Sequence, residues 1–169
     1  MTTTRPPMFR FVPLALVLAL APCIAARAWA ADEPARELTL QLTQIEAKNA
    51  ATLLRTIADV KKLRAVDEHT IVVSGTAEEL DAAAAVVRIA DVSEARAADE
   101  RFTAGDGAVI IGVKLENAFT VDVMQALRMQ LRIARLATLG EKRIFLRDTE
   151  KQIAAALEVI SDLDSPASH

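Results

Sequence analysis

The chain has 169 residues, of which 52% are hydrophobic, 25% charged and 4% aromatic, and its formal net charge is -3. This composition is typical of a globular protein with one domain or two very small ones, and it excludes collagen-like and disordered chains. The one Cys and the one Trp lie within the first 30 residues, and the chain has no Tyr. The remainder therefore argues against disulfide scaffolds, thiol catalysis, iron-sulfur clusters and aromatic platforms for sugars or bases.

The beginning of the chain has the order of a secretory signal peptide. Two arginines precede an uncharged stretch over residues 11–26, and a small-x-small site ends at Ala30. Because a membrane-spanning helix needs about 20 apolar residues, this proline-interrupted stretch is too short to be one. We expect cleavage after Ala30 (signal peptide 1–30), a periplasmic location and no membrane span afterwards. A lipid anchor at Cys23 is the alternative, and Pro22 disfavours it because a small flexible residue normally precedes a lipid-modified cysteine.

Charge is distributed unevenly along the rest of the chain. After cleavage, 17 basic and 23 acidic side chains remain, a net charge of -6, which together with export argues against nucleic acid as a partner. Residues 31–107 carry 9 basic and 15 acidic side chains, whereas residues 108–169 carry 8 of each. We therefore expect the surface of the first half to be more acidic than that of the second half.

The first half predicts a strand, a helix, a hairpin and a second helix. In chain order these are a strand with alternating leucines at 38, 40 and 42, a helix over 47–59, hairpin strands over 61–66 and 70–74, and a helix after Thr76. Thr76 and Glu79 have the spacing of a capping box, in which each side chain satisfies a free backbone N–H at the helix start. The apolar stripe of this helix comprises Leu80, Ala83, Ala84, Val87 and Ala90.

The second half predicts the same order after a polar segment. In chain order we expect an alternating strand over 109–115, a helix over 120–130, hairpin strands over 131–139 and 143–147, and a helix after Thr149. Thr149 and Gln152 again have capping-box spacing. The stripe of this helix comprises Ile153, Ala156, Leu157, Ile160 and Leu163.

Two stretches in these halves are similar to each other. Residues 71–91 align with residues 144–164 without a gap and share six identical positions out of 21. We therefore expect an α+β protein with two tandem β-α-β-β-α units, each a small three-stranded sheet with two helices on one face. The predicted boundaries are a first unit over 31–92, a linker over 93–107, a second unit over 108–166 and a tail over 167–169.

The repeated unit resembles a known family. The order β-α-β-β-α, with the segments "IEAKNAATLLRTIADV", "TIVVSGTAEELDAAAAVVRIADV" and "RIFLRDTEKQIAAALEVISDLDSP", is similar to the short NolW-like N-terminal domains of secretins. The resemblance implies periplasmic modules of type II and type III secretion or pilus channels, which stack into rings, bind proteins and perform no chemistry. The chain ends at His169, where a secretin would continue into its channel-forming domain, so we expect no pore.

Candidate chemistry is sparse. Asp67, Glu68 and His69 offer two carboxylates and an imidazole, the donor types of a divalent metal site. Three consecutive residues in a hairpin turn do not easily converge on one ion, so we expect a solvated turn, no cofactor and no bound metal. A small exported enzyme or metal-binding protein that uses this turn is the alternative function.

The outer face of the second sheet is the predicted partner-binding site. If Ile144 and Leu146 point toward the helices of their own unit, strand alternation places these five residues on the other face: Ile110, Lys114, Arg143, Phe145 and Arg147. A Phe flanked by two Arg is typical of an interface hot spot. The alternative is that Phe145 does not bind a partner and packs within the chain, against the linker or the other unit.

We therefore expect a noncatalytic periplasmic interaction module, an adaptor or assembly factor for a secretion or pilus machine. Its partner would be another protein or a second copy, in a ring or head to tail, because an acidic first unit could meet a basic strand. In the first unit, the corresponding sheet face is predicted to be polar.

Overall fold

The computed structural model describes residues 36–93 and 100–166, which all belong to one compact unit, Asp32–His169. The predicted signal peptide and the tail over 167–169 lie outside the described residues. Within the described ranges, the fold is α+β, with two small antiparallel sheets and four α-helices. None of the helices described is long and apolar enough to cross a bilayer.

The first half contains a three-stranded sheet with two helices on one of its faces. Its elements are β1 (Arg36–Gln41), α1 (Ala47–Thr56), β2 (Lys62–Asp67), β3 (Thr70–Gly75) and α2 (Ala77–Ala90). The strand order is β1-β3-β2, and both pairs are antiparallel. Leu38 and Leu40 pack against the core, as their alternation predicts, while Thr39 is exposed on the other face.

The second half repeats this order and adds a strand. Its elements are β4 (Glu100–Thr103), β5 (Val109–Lys114), α3 (Thr120–Ala126) continued by a π-helical turn (Leu127–Leu131), β6 (Arg135–Leu139), β7 (Arg143–Asp148) and α4 (Glu150–Leu163). The strand order is β4-β5-β7-β6, so β5-β7-β6 matches β1-β3-β2. The added strand β4 lies inside the segment predicted to be a linker. Its Phe102 packs against the core, and its Arg101 forms an ion pair with Glu150 of α4.

Threonine caps begin the last helix of each half. Thr76 accepts a hydrogen bond from the N–H of Glu79, and the Glu79 carboxylate accepts one from the N–H of Thr76, which confirms the predicted capping box. Thr149 accepts a hydrogen bond from the N–H of Gln152, but its own N–H is bound by Asp148 instead. Both helices therefore begin where the sequence predicts.

An aspartate at the end of each of these helices holds the loop that follows the first strand of the repeated pattern. Asp91 accepts hydrogen bonds from the backbone N–H groups of residues 43–45 at 2.6–3.1 Å. Asp164 accepts hydrogen bonds from those of residues 116–118 at 2.7–3.1 Å. Burial alone would raise the pKa of each carboxyl, but the backbone donors outweigh it and hold both pKa values below normal. The two aspartates thus play the same structural role in the two halves.

Helices α1 and α2 lie between the two sheets, so the second sheet has helices on both faces. One face of that sheet packs on α3 and α4, and the other packs on α1 and α2. Each sheet has the two helices of its own half on one face, as predicted, but the expectation that the other face of the second sheet stays open was wrong. The close approach is visible at Gly112 of β5, where a Cβ atom would lie 2.7 Å from Cγ2 of Ile89.

Helix α2 is accordingly buried on two sides. In addition to its predicted stripe, it buries Ala82, Ala85, Val86 and Ile89. Ala84, a member of the predicted stripe, is exposed. A helix between two sheets needs two apolar faces, and small alanine side chains let the flanking layers come close.

Candidate interaction surfaces

The five residues predicted to bind a partner are mostly inside the protein. Ile110 and Phe145 are fully buried, Arg143 and Arg147 are each 9% exposed, and Lys114 is exposed. Strand alternation is as predicted, because Ile144 and Leu146 belong to the core against α3 and α4. The prediction of an open face was wrong for the four buried residues, since α1 and α2 cover it.

Phe145 is the largest fully buried side chain of the described residues, and it lies where the two halves meet. It lies in the core formed mainly by the first half, together with Ile110 and Ala137 from neighbouring strands. The alternative left open by the sequence, in which Phe145 packs against the other half, is the one the structure contains. A fully buried Phe cannot bind a partner without separating the halves.

Arg143 binds the end of α2. Its Nη1 donates to the carbonyl oxygen of Ala90 at 2.8 Å, and its Nη2 donates to that of Ile89 at 2.7 Å. The last carbonyl groups of a helix lack partners within the helix and carry partial negative charge, which a guanidinium neutralises. Its guanidinium carbon also lies 5.4 Å from the centroid of the Phe145 ring.

Arg147 binds just after the end of α1. Its Nη1 donates to the carbonyl oxygen of Ile57 at 3.1 Å, and its Nη2 donates to Oδ2 of Asp106 at 2.7 Å. A hydrogen bond from the N–H of Ala108 and the adjacent guanidinium of Arg147 outweigh partial burial and lower the pKa of Asp106. Arg143, Phe145 and Arg147, the alternating residues of β7 that predicted an external hot spot, therefore join this strand to both helices of the first half. A further ion pair, Arg135 to Asp59 at 3.1 Å, connects the halves at their surface.

The turn over residues 67–69, whose side chains are of types that bind metals, makes hydrogen bonds that hold the hairpin and the segments beside it. Oδ1 of Asp67 accepts the backbone N–H of His69 at 2.7 Å, and this bond is the main cause that lowers the pKa of Asp67. The carbonyl oxygens of Glu68 and His69 accept the N–H groups of Ala47 and Leu42. Within the described ranges, no group of three His, Cys, Asp or Glu side chains could hold a metal ion. No observation favours the alternative function at this turn.

One sheet face remains uncovered by any described element. We call it the open face; it lies on the first sheet, opposite α1 and α2, and comprises Glu37, Thr39, Gln41, Lys62, Arg64, Asp67, Thr70, Val72 and Ser74. Its six residues on the edge strands β1 and β2 are exposed, and its three on the central strand β3 are half-buried. Cross-strand hydrogen bonds connect Ser74 to Glu37 and Thr70 to Gln41, each at 3.3 Å.

The sequence predicted the polar part of the open face but missed its basic part. Thr39 and Val72 were placed on this face from the alternation of their strands. Lys62 and Arg64 were not, although alternation within the predicted strand over 61–66 would have assigned them to it. The face therefore has two basic residues along β2 and two acidic residues, Glu37 on β1 and Asp67 at the end of β2.

The chain was compared with known families, curated proteins and solved structures. No family model matches it. No curated protein matches it either. Among solved structures, it is similar to a dimeric mutant of the N-terminal domain of the secretin XcpQ from Pseudomonas aeruginosa, at 16% identity and a TM-score of 0.34. It is also similar to a chain of the Salmonella SPI-1 type III secretion injectisome basal body, a structure of InvG, PrgH and PrgK, at 16% identity and a TM-score of 0.31.

These similarities cover 79% and 78% of this chain but only 64% and 30% of the two solved chains. Both solved structures are of components of secretion machinery. At such low identity and TM-scores they carry no argument about function.

Proposed function

We propose that this chain is a noncatalytic periplasmic interaction module that binds another protein through the open face. Its role would be that of an adaptor or assembly factor in a secretion or pilus machine. The observation that carries the proposal is the contrast between the two sheets. Within residues 36–93 and 100–166, helices cover both faces of the second sheet but only one face of the first sheet.

The open face has the chemistry of a polar protein-binding surface. Thr39 and Val72 lie side by side in register, and Arg64 flanks Val72 on the other edge strand. Hydroxyl groups provide hydrogen bonds, and Lys62 and Arg64, which lie on the same side of β2, can pair with carboxylates of a partner. The face offers no apolar patch of large side chains, so a reversible contact is the expected kind.

The proposal includes two tandem units of the secretin N-terminal kind. The same order of elements, the threonine caps and the aspartates that hold equivalent loops support it. Because one unit of this size buries only about 60% of its unfolded surface, each is marginal alone. Phe145, Arg143 and Arg147 contact the first half, and these contacts would add stability that a single unit lacks.

Photocrosslinking in cells tests the proposal. A crosslinking amino acid is placed at Thr39 on the open face of the full chain, and a control is placed at Lys151, an exposed residue of α4. We expect a protein adduct of defined mass from position 39 in the periplasmic fraction, absent from position 151. The proposal fails if position 39 gives no adduct, if both positions give the same adducts, or if the protein is not periplasmic.

A further inference from the structure

An exposed stripe on the second half combines apolar and basic side chains. Val121 of α3 is 71% exposed, and Met129 of the π-helical turn is 73% exposed. Gln125 lies between them, with Nε2 placed 3.8 Å from the sulfur of Met129. Arg128 and Arg132 flank Met129 in sequence, and both are exposed. We call these five residues the α3 stripe.

Neither arginine of the α3 stripe forms an ion pair within the described residues. The opposite side of the same helix is used for the core, where Val123 and Leu127 are fully buried. The α3 stripe therefore lies outside the core. Met and Arg are enriched at protein interfaces, Met because its flexible side chain fits irregular grooves.

A groove on the first half has the complementary chemistry. It lies between the start of α1 and the end of β2, has a volume of about 530 Å³, and is lined by Glu46, Ala47, Lys48, Ala65, Val66, Asp67 and Glu68. Its lining has three carboxylates against one ammonium group. Val66, 55% exposed, provides an apolar surface among them. We call it the α1–β2 groove.

We propose that the α3 stripe of one copy binds in the α1–β2 groove of a second copy of this chain. Met129 would pack against Val66, while Arg128 and Arg132 would face the carboxylates of Glu46 and Glu68. Opposite charges around an apolar contact give both attraction and orientation. The inference rests on the proposed interaction role and names one partner for it, through Glu46, Val66 and Glu68, which lie outside the open face.

Complementary charge reversal tests this contact in the full chain. One variant carries Arg128→Glu and Arg132→Glu, and the other carries Glu46→Lys and Glu68→Lys. Sedimentation velocity over a concentration series measures the dimer Kd. We expect the wild type to dimerise, more tightly at low salt, and each variant alone to have a Kd raised by at least about tenfold. An equimolar mixture of the two variants should recover dimers. In a mixed pair, the Glu-bearing stripe of the first variant faces the Lys-bearing groove of the second, and the unchanged Arg-bearing stripe faces the unchanged Glu-bearing groove, so each contact has opposite charges.

Two further variants distinguish loss of the contact from loss of the folded state. Lys151→Glu reverses an exposed charge outside both surfaces and should leave the Kd unchanged. Met129→Ser removes the apolar anchor without changing charge and should weaken the dimer, while circular dichroism verifies that every variant is folded. A monomeric wild type, charge reversals without effect, or a mixture that stays monomeric would each overturn the inference. Crosslinking from Thr39 reports on the open face separately, so the proposed function can fail or stand independently.

Discussion

Replacing Phe145 with Ala tests how the two halves are held together. The ring is fully buried between β7 and the helices of the first half. Truncating a fully buried Phe to Ala costs about 3–5 kcal/mol, because apolar burial is lost and a cavity remains. Small domains have a total stability of about 5–15 kcal/mol, so we expect a large fall in the free energy of unfolding. An acidic residue at this position should prevent folding altogether.

The matched control is Phe119→Ala, the same substitution at a residue that is 58% exposed. Its ring contacts Nζ of Lys142 at 5.1 Å from the centroid, an exposed cation-π contact worth about 0.5–1 kcal/mol. Urea unfolding followed by circular dichroism suits a chain without Tyr and with one Trp near its start. Two results would contradict the burial of Phe145 between the halves: an equal loss of unfolding free energy in both variants, or a loss below about 1 kcal/mol for Phe145→Ala.

Three other substitutions test the same architecture. Gly112→Val should lose about 1–3 kcal/mol in urea unfolding, since its Cβ would lie 2.7 Å from Ile89; an unchanged midpoint would mean that α2 does not approach β5. Arg143→Met should lose about 1.5–3 kcal/mol because two charge-assisted hydrogen bonds to the end of α2 disappear, and a variant as stable as the wild type would contradict this role. The folded-state pKa of Asp164 is lowered, so its contribution is present above the unfolded pKa of about 3.9 and lost as pH falls through the folded value. Thermal melting of Asp164→Asn should therefore vary less with pH in the acid range than that of the wild type, and parallel profiles would argue against the carboxylate contacts.

Local structure could be predicted from local sequence. The alternation in the strand after residue 142 placed Phe145 and Ile144 on opposite faces, and the structure confirms this. The threonine at 76 marked the start of a helix because its hydroxyl and Glu79 satisfy the first free N–H groups. These signals involve residues within a few positions of one another, so sequence reasoning detects them.

Which helices pack on each sheet face could not be predicted from local sequence. Alternation indicates which residues share a face, but nothing near Phe145 in sequence indicates that α2, more than 50 residues earlier, packs on it. The second buried side of α2 is made of alanines and Ile89, and small residues on both sides of a helix weaken its periodicity. Strand β4 has four residues with one large apolar side chain, Phe102, which is too short for a clear alternation.

Thiol labelling measures most directly which sheet face is open, the claim on which the proposed function depends. The chain has a single native Cys, at position 23, so the mature chain expected after signal cleavage offers one introduced thiol. Val72→Cys places it on the open face, and Ala137→Cys places it beside Phe145 under the helices of the first half. We predict that a maleimide labels position 72 at least about a hundredfold faster than position 137, which is reached only when the protein opens. Equal labelling rates, or faster labelling at position 137, would contradict the account.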